Sequence, residues 1–181
     1  MDVVRLFLEH GLDATARNHD GENLLHLAAQ EGRVDVVRLF LEHGIDATAW
    51  NYDGATPLHL AAQKGSVDVV RLFLEHGIDA TARNHDGENL LHLAAQEGRV
   101  DVVRLFLEHG VDATTQNRDG ATPLHLAAQE GRVDVVRFLL EHDVNATARN
   151  HDGATPLDLA VQKGKGTVRL LLEHGVNGAD Q

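Results

Sequence analysis

The chain has 181 residues, 43% of them hydrophobic and only 4% aromatic, so Leu, Val and Ala carry a core that is large enough to exclude disorder. A net charge of −12 opposes docking on phosphate backbones or anionic lipid, and neither nucleic acid nor membrane is expected as a partner. Cysteine is absent, which excludes disulfides and thiolate chemistry and fits a reducing compartment such as the cytoplasm.

In chain order, Met1–Gly11 reads as an amphipathic helix with Val3, Val4, Phe7 and Leu8 on one side and no helix before it. An Asp-Gly pair follows at Asp20-Gly21 and recurs at Asp53, Asp86, Asp119 and Asp152, always 33 residues on. The unit from Asn51 shows the grammar. Asp53-Gly54 makes a tight turn, and Thr56-Pro57 starts a helix, the threonine capping free amides and proline suiting the first turn. Asn23-Leu24 and Asn89-Leu90 replace that pair in two units. The short helix PLHLAAQ ends at Gly65. A second helix then holds Val69, Val70, Phe73 and Leu74 as one apolar stripe, and Gly77 ends it. An extended polar link, IDATARNHD, leads to the next turn. In the last unit Asp158 stands where the others have His, the inter-helix loop is one residue shorter, and a polar tail predicts a modest cap.

The fold class predicted is all-α: a helical solenoid of helix-turn-helix units, read as one domain over 1–181. Its parts are a partial unit at 1–17, full units at about 18–50, 51–83, 84–116 and 117–149, and a shortened unit at 150–181. A longer period overlies the shorter one: Asp13–Gly44 is identical to Asp79–Gly110, so two units are the duplicated block. Just beyond that identity, Ala49, Trp50 and Tyr52 become Thr115, Gln116 and Arg118.

The stretch DGATPLHLAAQEGRVDVVRFLLEH, from Asp119 to His142, resembles the ankyrin repeat family, and the resemblance covers nearly the whole chain. It implies stacked helix pairs with β-hairpin-like fingers along one edge, and a role in binding proteins through the fingers and the inner face of the first helices. It also implies a structural role for the first-helix histidines, bonding loop backbone. Asp143 departs from the pattern where the other units carry glycine, and this finger is expected to be strained.

On that layout the finger tips carry the pairs Arg17/His19, Trp50/Tyr52, Arg83/His85, Gln116/Arg118 and Arg149/His151. Residues two apart in an extended link point the same way, so the pairs form a ladder. Trp, Tyr and Arg are enriched in binding hot spots, and the sole Trp and sole Tyr stand together. The competing reading is that these residues pack on adjacent fingers. The histidine columns (His26, His59, His92, His125 and His10, His43, His76, His109, His142, His174) offer one ring per layer. Layers about 8–10 Å apart cannot close one column round an ion, so no metal is expected. There is no phosphate loop and no Ser or Cys nucleophile set beside a base, so neither enzyme nor cofactor is expected. The function expected is a non-catalytic scaffold for a partner protein. The alternative is a self-assembling fragment of a larger protein, with self-association through the uncapped N-terminal helix.

Overall fold

A computed structural model describes residues 5–6, 10–11, 13–142, 144–161 and 163–177. Val3, Val4, Phe7, Leu8, Asp143 and the end of the tail lie outside them.

Among the described residues the chain forms ten helices and no strand. In order they are α1 (Leu24–Gln30), α2 (Val34–Glu42), α3 (Pro57–Lys64), α4 (Val67–Glu75), α5 (Leu90–Gln96), α6 (Val100–Glu108), α7 (Pro123–Gln129), α8 (Val133–Leu140), α9 (Pro156–Ala160) and α10 (Lys165–Asn177). Odd-numbered helices pack on one another in succession and even-numbered ones form a second row behind them. This is an all-α helical repeat solenoid.

Local chemistry sets each helix start. Thr56 is extended at φ −89° and ψ 168°, Pro57 follows in the first turn, and Thr56 and His59 bond each other's backbone amides in a capping box. Asn23 and Asn89 do the same for α1 and α5. In the even-numbered helices Asp35, Asp68, Asp101 and Asp134 sit in the first turn, where their charge meets the positive end of the dipole.

Helices of 7 to 9 residues are too short to persist alone, so their stability comes from what they bury. Leu25, Leu58, Leu91 and Leu124 are fully buried in the first-helix row, with Ala61, Ala62, Ala94 and Ala95 letting neighbouring backbones approach. Behind them Val70, Phe73, Val103 and Phe106 are equally buried. The stripe of α4 differs from the expectation in one member. Leu72 is buried while Leu74 is only half-buried, because the facing odd-row helix and the neighbouring even-row helices together cover a wider arc than a single contact would.

The last unit is the irregular one. Its first helix, α9, has 5 residues, and Asp158 Oδ2 accepts from Thr155 N and Oγ1 at 2.8 and 2.7 Å in place of a histidine. On the described part of this unit Val161 and Leu172 are 66% and 48% exposed, and the end of the polar tail expected to form a cap lies outside the described residues.

Candidate partner-binding surface

Each finger is built from side chains that satisfy backbone. At its base Asp46 Oδ1 accepts from Thr48 N at 2.8 Å and from Thr48 Oγ1 at 2.6 Å. Asp13, Asp79 and Asp112 repeat this turn with Thr15, Thr81 and Thr114, and those threonine bonds hold all four carboxyls below the usual carboxylate range. At the tip Asn51 Oδ1 accepts from Asp53 N and Ala55 N at 3.0 and 2.8 Å, and Asn51 N donates to Ala55 O at 2.9 Å. Asn117 and Asn150 repeat the arrangement. Their signal in the sequence is an Asn two residues before each Asp-Gly. The fingers follow a hairpin course, but among the described residues their pairing amounts to one isolated bridge, Arg83 with Asn89. The Asn side chains take the amides that a longer ladder would have used.

The ten tip residues are all exposed, but the two members of a pair do different work. The second member lies back on the preceding finger. Tyr52 N donates to Asp20 O at 2.9 Å with its ring over Gly21, and His85 N donates to Asp53 O at 3.0 Å with its ring over Gly54. Arg118 over Gly87 and His151 over Gly120 continue the series. Where the first member is arginine it reaches forward. Arg83 Nη1 donates to Gly87 O at 2.8 Å in its own turn and to Gln116 O at 2.7 Å on the next finger. Arg17 Nη1 likewise bonds Gly21 O, at 2.7 Å, and Trp50 O. Arg149 bonds Gly153 O at 2.5 Å. His19, on the first described finger, is exposed.

Trp50 and Gln116 occupy the arginine position on the two fingers whose carbonyls the preceding arginines grip. Their backbones are held and their side chains are released. Trp50 is 58% exposed and Tyr52 67% exposed, the largest apolar surface on the fingers.

Beneath the fingers the first-helix histidines are spent on structure. His26, His92 and His125 place Nε2 at 3.2, 3.0 and 3.2 Å from the carbonyls of Ala55, Ala121 and Ala154 in the following unit. His59 Nε2 is the one buried side-chain nitrogen or oxygen among the described residues without a partner. Burial pushes all four imidazoles down, His59 and His92 to about 4. The second-helix column acts at helix ends: Nδ1 of His10, His43, His76, His109 and His142 meets the carbonyl four residues earlier at 2.8 Å, and His174 at 3.0 Å. Among the described residues no three His, Asp or Glu side chains are grouped to hold a metal ion, and no helix is long and apolar enough to cross a membrane.

The family model described as ankyrin repeats, three copies, matches residues 1–84, 44–117 and 91–181. No curated protein matches the chain. Repeats of this kind generally serve as protein–protein interaction modules and are typically non-catalytic. With those matches running from one end to the other over stacked helix pairs and Asp-Gly fingers, the chain belongs to the ankyrin repeat family.

Proposed function

We propose that this array is a non-catalytic scaffold that holds a partner protein along its finger tips and the concave side of its first helices, with Trp50 and Tyr52 as the anchors. One observation carries the reading: two large aromatic side chains stand 58% and 67% exposed on a finger whose backbone is gripped from the finger before it. A fixed backbone under an exposed aromatic side chain lowers the ordering cost of binding, which is how hot-spot residues act. Gln116, Arg118, His85 and His151 extend the surface, and the guanidinium nitrogens of Arg17, Arg83 and Arg149 not used on carbonyls give its rim. The partner segment this surface suits carries apolar groups flanked by acceptors or carboxylates. Trp50 is the only tryptophan, so its fluorescence reports on this place alone. A partner recovered with the wild-type chain is expected to shift that emission and to lose at least tenfold in affinity for Trp50→Ala/Tyr52→Ala. Unchanged emission together with unchanged affinity of the double variant overturns the site.

The alternative role is self-assembly. Leu6, Val161 and Leu172 are exposed apolar side chains at the two ends of the described array. Light scattering over a concentration series decides: growth of the particle supports assembly, and a monomer throughout removes it.

A further inference from the structure

The two kinds of helix start place different chemistry on the same buried imidazole. In the Thr-capped units Nδ1 of His59 lies 2.8 Å from Thr56 Oγ1, and Nδ1 of His125 lies 2.8 Å from Thr122 Oγ1. A hydroxyl donates to a bare nitrogen, so a neutral imidazole with its proton on Nε2 satisfies the cap. In the Asn-capped units Nδ1 of His26 lies 2.8 Å from Asn23 Oδ1, and Nδ1 of His92 lies 2.7 Å from Asn89 Oδ1. Each of those cap atoms also receives two backbone amides at 3.1 Å, from Leu25 and His26 or from Leu91 and His92. Two N–H groups aimed at one atom identify it as the carbonyl oxygen and not the amide nitrogen. That oxygen has no proton to give. A bare Nδ1 at this distance sets lone pair against lone pair, and attraction requires a proton on Nδ1.

The other nitrogen is committed too. Nε2 of His26 and of His92 faces a backbone carbonyl at 3.2 and 3.0 Å, which only accepts. Both nitrogens therefore face oxygen acceptors, and only the imidazolium satisfies both. Protonation gives up the bond from the cap residue's own amide to Nδ1, 3.3 Å long in both units. It replaces a long neutral bond with a shorter charge-assisted one.

We propose that Asn23 and Asn89 turn His26 and His92 into proton-binding clamps, each imidazolium donating through Nδ1 to its own helix cap and through Nε2 to the base of the following finger. Those are the fingers that carry Trp50 and Gln116, so the clamps offset part of the acid destabilisation where the proposed binding surface sits. The charged neighbours do not explain the difference between caps. Glu22 favours and Arg17 opposes a charge on His26, while Arg83 and His125 oppose one on His92 and His26 opposes one on His59. All four imidazoles are buried to 0% exposure, so burial opposes the charge throughout. The cap decides the order within this background.

The test follows Nδ1 and Nε2 of the four histidines by nitrogen NMR in the full chain from pH 7.5 to 4. His26 and His92 are expected to take the second proton at higher pH than His59 and His125. Asn23→Thr/Asn89→Thr should cost them about tenfold in proton affinity, the worth of one hydrogen bond to a charged group. The reverse change, Thr56→Asn/Thr122→Asn, should raise the affinity of the other two. By linkage the Thr-capped variant is more stable than wild type at pH 7.5 and loses more stability on the way to pH 5. Asn-capped histidines that titrate at or below the Thr-capped pair overturn the proposal, as do stability curves of wild type and variant that stay parallel.

Discussion

Gly54 and Gly77 both sit at positive φ, 74° and 71°, yet they answer to different constraints. A Cβ on Gly54 would meet His85 N at 2.9 Å, a backbone atom that cannot swing aside, whereas one on Gly77 would meet nothing within 4 Å. Gly77→Ala is therefore expected to cost only the left-handed conformation, about 1 kcal/mol, and Gly54→Ala about 2–3 kcal/mol, read as midpoints in urea. Equal losses would mean that the fingers separate freely. The arginines make a second residue-scale contrast. Arg83→Ala removes bonds to two carbonyls and is expected to destabilise by about 1–2 kcal/mol, whereas Trp50→Ala, at the matching position with no such bonds, should stay within about 0.5 kcal/mol. This distinction could not be read from the sequence. The resemblance to ankyrin repeats suggested where the tip residues stand, but Arg83 is spent on the carbonyl of Gln116, 33 residues away, and no local pattern reports a carbonyl's direction.

At the scale of elements the reading from sequence succeeded where chemistry is local. Thr56-Pro57 and Asn23 start helices because capping involves atoms within three residues, and Gly44, Gly77 and Gly110 end α2, α4 and α6 for the same reason. It missed the burial of Leu72 over Leu74, since that depends on how far the neighbouring helices wrap round α4. It also missed the contacts between units at the inter-helix loop. Arg99 Nε donates to Gln63 O at 3.1 Å and Arg132 Nε to Gln96 O at 2.7 Å, each tying a helix pair to the end of the first helix before it. Ser66 stands at this position in the unit before that of Arg99, makes no side-chain cap bond, and leaves α1 without the tie. Ser66→Arg is expected to stabilise the array by about 1 kcal/mol through the same bond to Gln30, and Arg99→Ala to destabilise it by a similar amount. Denaturant midpoints of the two variants check this, and a Ser66→Arg chain no more stable than wild type would show that the units are already fixed by their apolar faces.

For the whole molecule the buried histidine column makes acid the condition that matters most. His59 and His92 are held down to about 4 by burial, against 6.5 when free, so in the folded chain they stay neutral through a range in which the unfolded chain binds protons. The sign follows: their contribution is complete above pH 6.5 and drains away as pH falls towards 4, by about 3 kcal/mol apiece before any return from the cap at His92. The Asp-Thr turns act later, since carboxyls held below the ordinary range surrender stability only when pH falls through those lowered values. Glu88, pushed up by burial, gives a little back in the opposite direction. Because short helices rely on their neighbours, loss at the two central layers should be felt along the array and not remain local. Urea midpoints are therefore expected to hold between pH 8 and 7 and to fall steeply between 6.5 and 4, with helical circular dichroism and Trp50 emission moving together. His59→Gln, which removes one of the two strongly shifted imidazoles, should flatten that slope even as it lowers the midpoint at pH 7.5. A slope left unchanged by His59→Gln would place the acid sensitivity in the carboxyls instead.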